Sequence, residues 1–120
     1  MSPRVTELKL HQLSRAMEIA FDDGTHETLS CEYLRVYSPS AEVRGHGPGQ
    51  EILQIGKENV NVTAIEPVGN YGVKLVFDDG HDTGIYSWPI LYELSTNYEA
   101  NWQDYLARLK KAGYRRPDAD

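Results

Sequence analysis

One turn motif occurs twice in this 120-residue chain. Phe21-Asp22-Asp23-Gly24 recurs 56 positions later as Phe77-Asp78-Asp79-Gly80. Because Asp-Gly tolerates the positive φ angles of tight turns, each copy predicts the tip of an antiparallel hairpin. Apolar residues on both sides of the motif also correspond at this offset: Ile19 with Leu75, Leu29 with Ile85, and Leu34 with Ile90.

Each motif lies inside a longer pattern of strand, turn, strand and helix. Alternating apolar and polar residues before and after the turns predict strands over 17–21, 25–30, 72–77 and 81–86. Ser30 and Ser87 are then expected to cap helices that begin near Cys31 and Trp88. The pattern favours an α+β fold with mainly antiparallel strands in two similar units. The alternative is that one good turn sequence was simply used twice.

The rest of the chain supplies further elements. Alternation predicts strands over 5–11 and 60–68, with a weaker strand over 52–55. Residues 38–50 are rich in Gly and Pro and predict a loop. Aromatic and apolar residues from Tyr98 to Leu109 repeat at helical spacing, and Gly113 is expected to end this C-terminal helix. We therefore expect one domain over 1–113 and a flexible tail over 114–120.

Composition excludes some classes of function. The net charge of −6 argues against nonspecific nucleic-acid binding, which needs a positive field. A single cysteine, Cys31, cannot form an internal disulfide, so we expect a reducing compartment. No segment has the apolar length of a signal peptide or a membrane span, which makes the cytoplasm the expected location.

Three segments carry a resemblance to a known family. They are Leu-Arg-Val-Tyr-Ser-Pro-Ser-Ala-Glu-Val-Arg-Gly-His-Gly at 34–47, Ile-Glu-Pro-Val-Gly-Asn-Tyr-Gly-Val at 65–73, and Phe-Asp-Asp-Gly-His-Asp-Thr-Gly-Ile-Tyr-Ser-Trp at 77–88. Together with the first turn motif they resemble the DUF971 family over most of residues 5–95. This family comprises stand-alone relatives of the N-terminal domain of γ-butyrobetaine hydroxylase.

The resemblance carries implications for metal and partner binding. The related hydroxylase domains hold a structural zinc with three cysteines and one histidine, and here those positions contain Ser38, Ser40, Val43 and His81. Since tetrahedral zinc needs four suitable ligands, the family zinc site is expected to be absent. The same domain type is fused to P-loop ATPases of iron–sulfur cluster assembly. The resemblance therefore implies an accessory role in iron or iron–sulfur metabolism, with such an ATPase as the protein partner.

The strongest candidate metal ligands are His81, Asp79 and Asp82, with His46 as a further possibility. Carboxylate and imidazole groups suit a transition metal such as iron. The alternative is a turn whose carboxylates accept backbone N–H groups, with His81 hydrogen-bonded locally. Cys31 is a candidate nucleophile or cluster ligand, or else a packed thiol.

Nothing in the sequence forms a recognisable catalytic motif. The Gly-rich segment 44–50 lacks the Gly-Lys-Ser/Thr ending of a P-loop. Its glycines would permit a partner or an anion to approach the backbone closely, or the segment is a flexible connector. We expect a non-catalytic binding or adaptor domain, with a small metal-binding protein that uses the second turn as the alternative.

Overall fold

The computed structural model describes residues 3–117 as two similar units that are joined by a linking segment and followed by a helix. The first unit contains β1 (Val5–His11), β2 (Ala16–Phe21), β3 (His26–Ser30) and α1 (Cys31–Val36). The linking segment, residues 37–61, contains α2 (Ala41–Arg44). The second unit contains β4 (Val62–Val68), β5 (Gly72–Phe77), β6 (Ile85–Ser87) and α3 (Trp88–Thr96), and α4 (Tyr98–Lys111) follows. Each unit forms a three-stranded antiparallel sheet, which confirms the predicted α+β class.

The two units share details beyond the turn sequence. The Asp22 carboxylate accepts the backbone N–H of Arg4 at 3.1 Å, and the Asp78 carboxylate accepts that of Asn61 at 3.0 Å. The backbone N–H groups of both aspartates donate in return to the carbonyls of Arg4 and Asn61, each at 2.9 Å. Both first strands also bulge near their starts. The duplication is therefore structural and not only a reused turn.

Both turns have the predicted backbone conformation. Gly24 has a φ of +90° and Gly80 a φ of +91°, in the region that side chains larger than hydrogen avoid. The strand ends before them place Phe21 and Phe77 in the core, with 4% and 2% of their surface exposed. These observations confirm that the turns lie at hairpin tips with the phenylalanines at equivalent buried positions.

The helices of the two units begin at equivalent residues, Cys31 and Trp88. Ser30 Oγ accepts the N–H of Tyr33 at 3.0 Å, and Ser87 Oγ accepts that of Ile90 at 3.4 Å. The offset between the units therefore rises from 56 at the turns to 57 at the helices. One additional residue in the second unit, between its turn and β6, accounts for the change.

Each helix contacts the turn of the other unit. Arg35 of α1 donates from Nε to Asp79 Oδ2 at 2.9 Å, and Tyr92 of α3 donates from its hydroxyl to Asp23 Oδ2 at 2.7 Å. Arg35 and Tyr92 occupy equivalent positions in their helices, 57 residues apart. These two contacts join the units through the second aspartate of each turn.

The core lies between the inner faces of the two sheets and the helices. Its buried side chains come from both units, and they include Met17, Ile19, Leu29, Tyr33, Leu34, Leu75, Tyr86 and Leu91. A smaller cluster of Val36, Tyr105 and Leu109 lies under α4, where Trp102 and Leu53 pack against it. The C-terminal helix is thus attached to the domain by the aromatic and apolar residues that predicted it.

Two predictions in the linking segment are wrong. Residues 38–50 are not all loop, because Ser40 accepts the N–H of Glu42 and starts α2. Residues 52–55 do not form a strand, because their backbone groups pair elsewhere. The N–H of Ile52 donates to the Val43 carbonyl at 2.8 Å, and the Gln54 carbonyl accepts the Tyr105 hydroxyl at 2.6 Å.

The last strand and the C-terminal segment also differ in extent from the sequence prediction. Strand β6 covers only Ile85–Ser87, because the chain before it packs closely against Ser38. After Gly113, the Tyr114 hydroxyl donates to Glu58 at 2.8 Å and Arg116 forms an ion pair with buried Glu32. The start of the predicted tail therefore contacts the domain, and its last three residues, 118–120, lie outside the described residues.

We predict that Gly24→Val and Gly80→Val each lower the free energy of unfolding by roughly 1–3 kcal/mol. A β-carbon at either glycine meets no atom within 4 Å, so we attribute the cost to the positive φ angle. Urea denaturation of each variant measures it. Gly47→Val is the matched control, because Gly47 has equally open surroundings and no positive φ. Equal losses at all three glycines would contradict the assignment.

Candidate functional site

His81 lies just after the second turn, with only 5% of its surface exposed. Its ring is held between two side chains of the linking segment. Nε2 lies 2.9 Å from Ser38 Oγ, and Nδ1 lies 3.3 Å from Glu42 Oε2. The second turn and the residues around α2 therefore form one polar cluster, which we call the His81 network.

The hydrogen bonds of the His81 network have a consistent direction. An ionised Glu42 can only accept, so the neutral ring carries its proton on Nδ1. Nε2 then accepts from the Ser38 hydroxyl, and Ser38 Oγ accepts the N–H of Ser40 at 3.2 Å. Every polar atom in this chain of contacts has a partner, as buried polar groups require.

A second chain of hydrogen bonds ends on the same carboxylate. Thr83 Oγ1 donates to Glu42 Oε1 at 3.0 Å and lies 2.7 Å from Ser40 Oγ. Since the Thr83 proton goes to the carboxylate, the Ser40 hydroxyl donates to Thr83. Both oxygens of Glu42 are therefore used within the fold. Sequence reasoning found neither Glu42 nor Thr83, because each bonds to residues about 40 positions away.

The order Ser38–His81–Glu42 has the hydrogen-bond pattern of an activated serine. A nucleophile must also be reached by its substrate. Ser38 has 0% of its surface exposed, and a side chain at Gly84 would lie only 2.4 Å from its Oγ. The arrangement therefore stabilises the fold and, in this conformation, offers a substrate no accessible oxygen.

The protonation state of His81 follows from its surroundings. Burial lowers the pKa of His81, and the nearby positive charge of Arg35 lowers it further, while Glu42 acts in the opposite direction. The imidazole is consequently neutral at neutral pH. A neutral ring with its proton on Nδ1 makes both hydrogen bonds, by donating to Glu42 and accepting from Ser38.

Asp79 is fully engaged in the second turn. Its Oδ1 accepts the backbone N–H of His81 at 3.1 Å, and its Oδ2 accepts Arg35 Nε at 2.9 Å and Lys57 Nζ at 2.7 Å. Partial burial raises the pKa of Asp79. The hydrogen bonds from Lys57, His81 and Arg35 outweigh this effect and hold the pKa at about 2.

The predicted metal ligands are not brought together as a set. Asp79 meets His81 through the backbone of His81, while Asp82 and His46 are exposed. Among residues 3–117, no three His, Cys, Asp or Glu side chains are arranged to hold a metal ion. Of the family zinc positions, Ser38, Ser40 and His81 belong to the His81 network, and Val43 lines a neighbouring cleft.

Cys31 is a packed thiol in this structure. It has 0% of its surface exposed, and its Sγ lies 3.7 Å from Asn61 Oδ1. Burial raises the pKa of Cys31, so the reactive thiolate is disfavoured. The position at the start of α1 does not make this cysteine a nucleophile.

The glycine-rich segment folds back on itself. Gly45 has a φ of +73°, and a side chain there would meet the Gln50 carbonyl oxygen at 2.0 Å. The close approach that a glycine permits is therefore used by the chain's own backbone. This arrangement returns the chain to α2, where the N–H of Ile52 donates to the Val43 carbonyl.

A cleft of about 240 Å³ opens between this segment and α4. Buried Val36, Val43 and Tyr105 contribute apolar surface to it. Its charged lining residues are Arg44, Arg108, Glu51 and Asp104, two of each sign. Ile52 lines the cleft with 55% of its surface exposed. We call this surface the linking-segment cleft.

No helix in the described part of the chain has the length and apolarity needed to cross a membrane.

The family model described as "Gamma-butyrobetaine hydroxylase-like, N-terminal" matches residues 8–92 of this chain. The chain belongs to this family. The match confirms the resemblance seen in the sequence, and it includes both turns, the His81 network and α1. A search of the curated proteins found no match.

Three solved structures are similar to the chain. One solution NMR structure shares 61% identity and a TM-score of 0.82, covering 96% of this chain and 86% of its own. A second solution NMR structure shares 44% identity and a TM-score of 0.83, and the match covers 100% of this chain and 95% of the other chain. The third is a crystal structure from Acidithiobacillus ferrooxidans, described as a DUF971 protein of unknown function. It shares 40% identity and a TM-score of 0.64, and the match covers 76% of this chain and 91% of the other chain.

We predict that Asp79→Asn destabilises the protein in a pH-dependent way. The pKa of Asp79 is lower in the folded chain than in the unfolded chain, so its charge stabilises the fold above pH ~4. This contribution is lost as the pH falls towards about 2. The expected loss is about 2 kcal/mol at pH 7 and shrinks steadily below pH ~4. Urea denaturation at several pH values, with Asp82→Asn as the exposed control, tests it. A difference from wild type that is constant with pH would contradict the assignment.

Proposed function

We propose that this protein is a non-catalytic, cytoplasmic binding domain that docks a partner protein on the linking-segment cleft. One observation supports this role most directly. The groups that could do chemistry, which are Ser38, His81, Glu42 and Asp79, are all used within the fold. The cleft next to them presents apolar surface and charged side chains to the outside.

The chemistry of the cleft suits a protein segment. Its buried apolar residues can accept an apolar side chain, and exposed Ile52 adds contact area at the edge. Arg108 is held over the Tyr37 ring at 5.8 Å and donates to the Tyr37 hydroxyl at 3.2 Å. Arg108 also pairs with Asp104, whereas exposed Arg44 forms no salt bridge within residues 3–117 and its charge is available to a partner.

The proposed partner is an ATPase of iron–sulfur cluster assembly. This choice is supported by the family resemblance, since related domains are fused to such ATPases. A domain that acts next to the ATPase needs a docking surface and no active site of its own. The alternative role, binding of a metal such as iron by His81, Asp79 and Asp82, has less support. Each of the first two residues would have to give up hydrogen bonds that stabilise the second turn.

We predict that Arg44→Glu combined with Ile52→Ser weakens binding of the purified assembly ATPase at least about tenfold. Both side chains are exposed at the cleft, so the folded state should be retained. Isothermal titration calorimetry measures the affinity. Arg4→Glu combined with Ile85→Ser is the matched control, because it makes the same chemical changes at exposed positions away from the cleft.

Two results would contradict the proposal. One is that the wild-type protein does not bind the ATPase and that cluster-dependent enzymes keep full activity in a deletion strain. The other is that untagged protein carries close to one equivalent of iron or another transition metal that is lost on His81→Ala substitution. The second result would favour the metal-binding alternative.

A further inference from the structure

Positive charge is concentrated at the end of α4 and in the segment that follows it. Residues 105–117 contain five of the twelve Lys and Arg residues of the chain and none of its eighteen Asp and Glu residues. The whole protein carries a net charge of −6. This short segment is thus a positive surface on a negative protein, and such separation favours a partner of the opposite sign.

The chain reverses direction at this end of α4. Gly113 has a φ of +80°, and the N–H of Tyr114 donates to the Leu109 carbonyl at 3.0 Å. The Tyr114 hydroxyl is tied to Glu58 at 2.8 Å. The chain after the helix therefore lies against the last turn of α4 in a defined position.

A hollow of about 450 Å³ lies between these two stretches of chain. Apolar side chains form much of its surface, and cationic side chains also line it. Its lining consists of Leu106, Leu109, Lys110, Gly113, Tyr114, Arg115 and Arg116. We call it the C-terminal hollow. Its volume is larger than that of the linking-segment cleft and would accept one bulky apolar side chain.

Some of the nearby cations are already used inside the protein. Arg108 lies 3.1 Å from Asp104, and Arg116 pairs with buried Glu32 and lies over the Trp102 ring. In contrast, Lys110, Lys111 and Arg115 are exposed, and none of them forms a salt bridge with another residue in the range 3–117. These three charges are available to a ligand.

We propose that the C-terminal hollow binds an acidic protein segment that inserts one bulky apolar side chain. The apolar surface would hold that side chain, and Lys110 and Arg115 at the hollow would pair with flanking carboxylates. Three exposed cations are too few for the extended positive surface by which proteins bind nucleic acids, and the net charge of −6 opposes it. The proposal is independent of the linking-segment cleft and adds a second contact of different chemistry.

The test uses the full chain and three short synthetic peptides. The first peptide has Asp and Glu residues around one central phenylalanine, the second has Lys in place of the acidic residues, and the third has Ser in place of the phenylalanine. Binding is measured by fluorescence anisotropy, and ¹⁵N-labelled protein locates the contact by NMR. Single-stranded RNA and vesicles of phosphatidylcholine with phosphatidylglycerol are titrated in the same way.

The first peptide is expected to shift the amide signals of residues 106–116 and leave those of the linking-segment cleft unchanged. Lys110→Glu with Arg115→Glu should weaken its binding about tenfold. Arg4→Glu with Lys9→Glu is the matched control, because it changes the net charge equally on the first unit. The third peptide should also bind about tenfold more weakly than the first.

Any of four results would overturn the proposal. The first is that the lysine peptide binds as tightly as the acidic peptide. The second is that the control variant loses as much affinity as the Lys110→Glu with Arg115→Glu variant. The third is that no peptide shifts the signals of residues 106–116 at millimolar concentration. The fourth is that RNA or the anionic vesicles bind more tightly than the acidic peptide. The NMR spectrum and melting temperature of each variant report whether it is folded, so a loss of binding is assigned to the surface only when both are retained.

Discussion

The contact between Arg35 and Asp79 is the interaction on which the rest of this structure depends. It joins α1 of the first unit to the turn of the second, and Lys57 adds a second positive charge to the same carboxylate oxygen at 2.7 Å. The Arg35 side chain is only 9% exposed, so removing the Asp79 carboxylate would leave a nearly buried cation without its counter-charge. Because the backbone N–H of His81 bonds to the other oxygen of Asp79, this contact also fixes where His81 lies.

The two units use the same frame for different purposes. In the first unit, the second aspartate of the turn meets a tyrosine hydroxyl at the surface. In the second unit, the equivalent aspartate meets two cations, and the residue that follows its glycine is a buried histidine. The segments that have no counterpart in the other unit, the linking segment and α4, form the linking-segment cleft together with Val36 of α1. Duplication thus accounts for the frame, and the additional segments supply the proposed binding surface.

The sequence was sufficient to predict features that depend on local chemistry. The Asp-Asp-Gly turns, the serine caps at Ser30 and Ser87, and the helical spacing of α4 each depend on residues within a few positions of one another, and all three are present. The same local reasoning failed over residues 52–55, where apolar residues suggested a strand. Their backbone groups bond to α2 and to Tyr105 of α4, and such partners cannot be identified from strand propensity.

The candidate site could be predicted only in part for the same reason. Three of the positions that the resemblance assigns to the family zinc site, Ser38, Ser40 and His81, are neighbours in space. The resemblance did not indicate that Glu42 accepts from His81, or that Arg35 meets Asp79 across 44 residues, because no pattern in the sequence marks either pair. The metal ligands proposed from the second turn were chosen by residue type. Whether their atoms already had partners was visible only in three dimensions.

The central claim is that the polar groups of the second turn are used to hold the fold together. The measurement that tests it most directly is the protonation state of His81, observed by ¹H–¹⁵N NMR at pH 7 before and after one equivalent of Zn²⁺ is added. The account predicts a neutral ring with its proton on Nδ1 and an unprotonated Nε2 that accepts from the Ser38 hydroxyl. It also predicts that the His81 signals do not change when zinc is added. A charged ring, a proton on Nε2, or a His81 signal that shifts with zinc would contradict it.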